Sequence, residues 1–345
     1  MIFASDNAGP VHPQIMERVI AANDGYAMSY GADPIMDEVR QAIRTQFEAP
    51  EAAVYLVATG TAANALSLAC YAQPWQTVFC SPVAHIQEDE CNAPEFYSGG
   101  AKLTLVPGGD TMTPAALRGA IAAQEVRGVH GPQRGPVSIT QASERGGVYD
   151  LRTLKDLTAV AKDYDLPVHM DGARFANALV ALGCTPAEMT WRAGVDVLCL
   201  GGTKNGCMGV EAVVFFDPDK AWQFELRRKR AAHLFSKHRY LSAQMAGYLE
   251  NGLWLGLAEQ ANDAAARLAA GLRDAGADFL HEPQANMIFA SFPRATHQRL
   301  HEAGAKYYIW EGTLDGTDPD ETLAARLVCD WSCTPAQVDQ FLSLF

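Results

Sequence analysis

At 345 residues the chain can hold one large domain with an appendage, or two domains. With 48% hydrophobic and 19% charged residues it reads as a globular protein, which excludes a disordered or fibrous one. The formal net charge of −13 argues against nucleic acid or an anionic membrane as the main partner, because both need a surplus of Lys and Arg.

The first residues, Met1-Ile2-Phe3-Ala4-Ser5-Asp6-Asn7, lack the basic segment and apolar core of a signal peptide. From about residue 52 to 216, short apolar runs alternate with helical patterns. Strands are predicted at 54–58, 77–81, 102–106, 137–141, 167–171, 195–200 and 212–216, with helices at 62–73, 113–126 and 151–164 between them. Near-continuous apolar strands alternating with helices indicate a buried, mainly parallel sheet covered on both faces. Residues 217–252 read as helical and carry the basic run Arg227-Arg228-Lys229-Arg230, and a long Ala/Leu-rich helix follows at 255–275, ended by Gly276. Beyond it a smaller α/β unit is expected, with strands at 287–292, 307–310 and 327–331, a helix near 296–303 and a last one at 335–345. The expected division is an N-terminal arm (1–15), a large α/β domain (16–252) and a small C-terminal α/β domain (253–345). Eight cysteines are scattered with no C-x-x-C pair, so a cytoplasmic location is expected. No stretch approaches the roughly 20 apolar residues that a membrane span needs.

In open α/β sheets ligands collect outside the carboxyl ends of the strands, and polar residues follow four of the strands here. His169-Met170-Asp171-Gly172-Ala173-Arg174 puts Asp171 at a strand end. There it either caps the next helix or keeps a cationic heterocycle protonated, with Arg174 near enough to hold a carboxylate. Leu198 to Gly206 runs from an apolar strand into glycines and then Lys204, which is the only lysine between Lys162 and Lys220. This is not a Walker loop, and it suits either a solvated lysine or one that forms a Schiff base. In Thr59-Gly60-Thr61-Ala62, a strand end turns into a helix whose free N–H groups make a phosphate cup, unless Thr61 only caps the helix. His85, beside Glu88, Glu90 and Cys91, fits no common zinc spacing; stacking on a planar ring suits it better, and no metal is expected.

Taken in order, these segments resemble the threonine aldolase family, within the fold-type I pyridoxal-phosphate (PLP) class whose fold is aspartate aminotransferase-like. The resemblance rests on Ser5-Asp6-Asn7, Tyr30-Gly31-x-Asp33-Pro34, Thr59-Gly60-Thr61-x-x-Asn64, Ala84-His85, His169-x-Asp171-Gly172-Ala173-Arg174, the Gly201-Gly202-Thr203-Lys204-Asn205-Gly206 loop and Ala325-Arg326-Leu327-Val328. It covers essentially the whole chain, and the lysine loop looks like that of the low-specificity L-threonine aldolases.

The resemblance implies a retro-aldol lyase that cleaves β-hydroxy-α-amino acids such as L-threonine, L-allo-threonine or phenylserine into glycine and an aldehyde. A β-eliminating lyase or a racemase on the same scaffold is the alternative. By position, it implies that Lys204 forms the Schiff base with pyridoxal 5'-phosphate, Asp171 pairs with the ring nitrogen, and His85 stacks on the ring. Gly60 and Thr61, with Arg239 from a neighbouring subunit, hold the phosphate. Arg174 serves both cofactor and substrate, and Ser5 and Arg326 hold the substrate carboxylate. Tyr30 reaches the substrate across an interface in a homo-oligomer, dimer or tetramer, with shared sites. Some relatives carry a second histidine after the fifth strand; here that loop reads Gln141-Ala142-Ser143-Glu144-Arg145-Gly146. Ser143, Glu144, His85 or a water then has to meet the substrate hydroxyl.

Overall fold

A computed structural model describes residues 1–124 and 128–345. Its main sheet has seven strands: β1 (Ala53–Val57), β2 (Gln76–Cys80), β3 (Lys102–Leu105), β4 (Gln133–Thr140), β5 (Val168–Gly172), β6 (Val197–Gly201) and β7 (Glu211–Phe215). Their order across the sheet is β1-β7-β6-β5-β4-β2-β3. Pairing is parallel from β3 through β6, and β7 runs antiparallel to both of its neighbours, β6 and β1. Because β1 and β6 both oppose β7, they point the same way. The carboxyl ends of β1, β2, β4, β5 and β6 therefore share one edge of the sheet, and the start of β7 lies on that edge too.

The inner strand β6 is apolar on both faces because both are covered. In β6, Leu198 and Leu200 pack into the main core with Ile139, Met170 and Trp254, while Val197 and Cys199 face the opposite layer with Val57, Ala62 and Phe224. Each fully buried leucine contributes roughly 1.5–3 kcal/mol by leaving water. The layer containing Ala62 includes the helix Gly60–Tyr71, whose residues 62 to 70 are all buried.

A second sheet of four strands, β8 (Asp278–Phe279), β9 (Met287–Pro293), β10 (Tyr308–Glu311) and β11 (Thr322–Val328), has the order β10-β11-β9-β8 and is antiparallel throughout. Its core joins Ile288, Ala290 and Leu327 to Leu268, Leu272 and Phe341, and also to Phe3. The N-terminal segment lies along this sheet: the Phe3 N–H donates to the Lys306 carbonyl (2.7 Å), and Val328 N–H donates to the Phe3 carbonyl (2.8 Å). The helix Leu253–Asp274 serves both cores, with Trp254 and Ala258 in the main one and Leu268 and Leu272 in the second. No helix among the described residues is long and apolar enough to cross a membrane.

Most expected elements appear within a few residues of their places, with four differences. The strand expected at 327–331 is β11, Thr322–Val328, because its ladder with β9 begins at Thr322 and the Asp330 carboxylate turns the chain by accepting the Ser332 N–H (2.7 Å). The helical region 217–252 is two helices, Ala221–Arg230 and Arg239–Leu249, interrupted where Ala232 adopts φ 62°. The helix expected at 113–126 spans Pro114–Ala123, and Val126 lies outside the described residues. The basic run is not a uniformly solvated face: Arg228 is buried, with one Nη donating to the Leu56 carbonyl and the other to Glu225.

Candidate active site

The shared strand edge opens into a cavity of about 230 Å3 lined by Asn7, Ala58 to Thr61, Asn64, His85, Asp171, Ala173, Thr203, Lys204 and Glu211. Gly60 and Thr61 come from β1, His85 from β2, Asp171 from β5 and Lys204 from β6. The topology thus gathers residues from Gly60 to Lys204, 144 positions apart in the chain.

Thr59, not Thr61, caps the helix Gly60–Tyr71, its hydroxyl accepting the Ala62 N–H at 3.2 Å. The capping role weighed for Thr61 is therefore already filled. Gly60 and Thr61 form the first turn, where backbone N–H groups lack intrahelical partners, and open space lies where a Cβ on Gly60 would project.

Asp171 is buried, its Oδ1 accepting the Ala173 N–H (3.0 Å) and its Oδ2 accepting Asn64 Nδ2 (2.9 Å). A carboxylate has about four acceptor positions, so capacity remains for a further donor. Neighbouring His169 is fully buried between the Ser138 hydroxyl (2.9 Å) and the Cys199 thiol (3.3 Å), and burial holds its pKa down to about 4, a neutral core residue.

His85 Nδ1 lies 2.8 Å from Glu90 Oε1, an oxygen that also accepts Asn64 Nδ2 at 2.8 Å. Burial works against charge on His85, yet the hydrogen bond to Glu90 and the charges of Asp171, Glu144 and Glu90 outweigh it and raise the imidazole pKa. Burial also pushes the Glu90 carboxyl up, held back by its bonds from His85 and Asn64.

Lys204 sits in a short 3-10 turn, Thr203–Asn205, and makes no hydrogen bond among the described residues. Its loop is pinned on both sides. Glu211 accepts the Gly202 N–H (2.9 Å), the Thr203 hydroxyl accepts the Val210 N–H (3.2 Å), and Asn205 donates to Tyr248 and to the Trp254 carbonyl. Gly201 has to be glycine, since a Cβ there would lie 2.5 Å from the Ala173 carbonyl oxygen and push the lysine loop away from Asp171. Glu211 is the least expected wall residue; burial pushes its pKa up to about 7.

Other expected residues lie outside the cavity wall. Arg174 is buried and grips Asp6 through Nε (2.7 Å) and Nη2 (3.0 Å), leaving Nη1 without a hydrogen bond among the described residues. Burial alone would push Asp6 up, but Arg174 and Lys204 hold its pKa below the usual range. Arg326 is half-buried and donates to the Ala4 carbonyl (3.4 Å) and the Met287 sulfur (3.9 Å); Asp6 and Glu144 act on its charge, but no carboxylate among the described residues forms an ion pair with it. Ser5 caps the short turn Asp6–Ala8. In the loop after β4, Ser143 donates to Asp110, while Glu144 keeps a buried Oε1 without a hydrogen-bond partner among the described residues. Tyr30 and Arg239 do not line the cavity: Tyr30 is exposed with Lys229 Nζ 4.7 Å above its ring, and Arg239 donates to the Gly25 carbonyl at 2.9 Å.

Asn7, Asn64, Glu90 and Glu211 were not singled out as site residues in the sequence. A polar Asn64 on an otherwise apolar buried helix and an acid opening the apolar strand Glu211–Phe215 are the signals that could have found two of them.

Comparison with known proteins agrees with this architecture. The beta-eliminating lyase family model matches residues 3–294. Two relatives, the low specificity L-threonine aldolases of a Pseudomonas species and of Pseudomonas aeruginosa, are each 40% identical. The first match covers 97% of this chain and 94% of the relative, and the second covers 95% and 92%. The solved threonine aldolase of Leishmania major superposes with a TM-score of 0.90 at 25% identity, over 99% of this chain and 98% of that one. The fold is that of fold-type I enzymes, and the chain belongs to the threonine aldolase family, within the beta-eliminating lyases.

Proposed function

We propose that the protein is a PLP-dependent aldolase that cleaves L-threonine, L-allo-threonine and related β-hydroxy-α-amino acids such as phenylserine into glycine and an aldehyde. The observation that carries this reading is that one cavity holds a helix N-terminus, an imidazole, a buried carboxylate and a primary amine. That set fits pyridoxal 5'-phosphate. Open space at Gly60 leaves room for a phosphate against the N–H groups of Gly60 and Thr61, Asp171 retains acceptor capacity for a ring N–H, and Lys204 has no competing hydrogen bond. When bound, the cofactor supplies an electron sink for the pair released as a bond at Cα breaks.

In this reading Lys204 would hold the cofactor by its aldehyde group. Asp171 would keep the ring nitrogen protonated, and His85 would pack beside the ring. Arg326, a half-buried cation without a carboxylate partner among the described residues, holds the substrate carboxylate with Ser5. Arg174, its Nε edge locked by Asp6, offers Nη1 to the same end of the site. That clamp would fix the substrate by its carboxylate, and a base takes the β-hydroxyl proton as the aldehyde forms.

Tyr30 and Arg239 enter this account as groups that complete the cavity of a neighbouring copy, in a dimer or tetramer. Exposed Ile20, Tyr26 and Met28 on the same side support such an interface. The scattered cysteines support a cytoplasmic location, and the division into 1–15, 16–252 and 253–345 belongs to the same proposal.

The direct test supplies L-threonine to the PLP-loaded protein. Acetaldehyde and glycine in equal amounts are expected. Ammonia and 2-oxobutanoate without aldehyde would overturn the reading in favour of β-elimination.

A further inference from the structure

We propose that Glu90 is a positioning residue that fixes His85 in its Nδ1–H tautomer and ties it through Asn64 to Asp171, so that His85 Nε2 is the acceptor of the substrate hydroxyl proton. The inference rests on the aldolase reading and answers which group serves as its base.

The argument follows from hydrogen-bond valence. The Asn64 amide nitrogen has two hydrogens, and both are used, on Glu90 Oε1 (2.8 Å) and Asp171 Oδ2 (2.9 Å). The opposite amide orientation would aim the Asn64 oxygen at two carboxylates, so the network itself assigns the nitrogen. Glu90 Oε1 is therefore an acceptor. Its other oxygen, Oε2, is buried and has no hydrogen-bond partner among the described residues, so the carboxylate acts on its neighbours through Oε1. An ionised Glu90 has no hydrogen to give, so His85 Nδ1, 2.8 Å from that same Oε1, donates to it. In the neutral ring this leaves the lone pair on Nε2, which makes no hydrogen bond among the described residues, in a side chain that lines the cavity. Ser143 is committed to Asp110 and does not compete for the role.

The charges facing the imidazole are Glu90 from its own turn, Asp171 from β5 and Glu144 from the loop after β4. All three favour the imidazolium formed when Nε2 takes a proton, and Glu90 is the one that touches it. In the step itself the substrate O–H bond breaks as Nε2–H forms, and the O–H pair becomes the second carbon–oxygen bond of the aldehyde. The Cα–Cβ pair stays with Cα, and Nε2 later returns its proton to solvent while Cα takes one up. No oxidant or further reactant is needed. A carboxylate that orients and charges a histidine in this way extends the logic of hydrolase triads to a carbon–carbon lyase.

The test is Glu90→Gln, which keeps the side chain's shape and removes its charge, with Glu90→Asp as the charge-preserving companion. Histidine ring nitrogens are labelled with 15N, His85 is assigned by its disappearance in His85→Phe, and the ring is titrated by NMR with and without PLP. The expected wild-type ring carries its hydrogen on Nδ1 when neutral. Glu90→Gln should move its titration to lower pH, move the acidic limb of kcat/KM with it, and lower kcat by about 10–100-fold; Glu90→Asp should restore part of each. A neutral ring with its hydrogen on Nε2, or an unchanged His85 titration in folded Glu90→Gln, would overturn the proposal even if activity fell, since lost packing alone explains lost activity. The titration is read without turnover, so a wild-type protein that released no aldehyde would sink the aldolase reading while the His85–Glu90 pair remained separately measurable.

Discussion

Around the cavity, His85, Glu90, Asn64 and Asp171 form one bonded line within a single chain, whereas Tyr30 and Arg239, assigned to the same site, lie on an open surface beside exposed Tyr26 and Met28. The first region is set by the sheet: Asp171 lies near the end of β5, Asn64 on the helix after β1, and His85 and Glu90 on the segment after β2, and these strands share an edge. The second is set by helix ends and turns, with Tyr30 held at φ 59° by its N–H bond to the Ser236 carbonyl (3.1 Å). The contrast teaches that one chain gathers the groups proposed for the chemistry without Tyr30 and Arg239. In the proposed reading a cofactor anion would meet the N–H groups of Gly60 and Thr61, and Arg239 would have to come from a neighbouring copy to balance it.

The largest break in that contrast is expected at Asp171. Asp171→Asn removes the charge from the bonded line and should lower kcat by about 10²–10³-fold with little change in cofactor content, measured by aldehyde release. A loss below tenfold would remove Asp171 from the chemistry. Arg326→Ala comes next: losing charge-assisted bonds of about 1.5–3 kcal/mol should raise KM roughly 10–100-fold and leave kcat nearly unchanged. An unchanged KM would end its carboxylate role.

Mixing subunits sharpens the other half of the comparison. Arg239→Ala and Lys204→Ala proteins, each impaired alone, should regain about a quarter of wild-type activity when unfolded and refolded together, because half of the resulting dimers carry one intact composite site. No recovery would place Arg239 outside a shared site. The smallest effect is on stability. The folded-state pKa of Glu211 lies above its unfolded value, so its contribution is present below about 4.5 and is lost as pH rises through about 7. Glu211→Gln should abolish that loss, gaining on the order of 1–3 kcal/mol at pH 8 relative to pH 5 in denaturant unfolding. An equal pH dependence in both proteins would contradict the burial of that acid.

The sequence made the strand ends legible because both faces of the sheet are covered: near-continuous apolar runs mark the strands, and the polar residues after them mark the site. Lys204, Asp171, His85 and the Gly60 turn follow from that pattern. Asn64 to Glu90 and Asn64 to Asp171, in contrast, are contacts across 26 and 107 positions with no fixed spacing, and only folding shows them. Glu211 escaped because a carboxylate at the head of an apolar run reads as loop, and the expected strand began one residue later. Arg174 was placed beside the cavity from its distance to Asp171, while its actual partner, Asp6, lies 168 residues away.

The central claim is that Lys204 is the lysine that holds the cofactor. The PLP-loaded protein is reduced with borohydride, digested, and its peptides are weighed. The account predicts the reduced cofactor's mass on the peptide containing Lys204, and its absence from Lys204→Ala protein. The same mass on another lysine, such as Lys229, or on none, would contradict it.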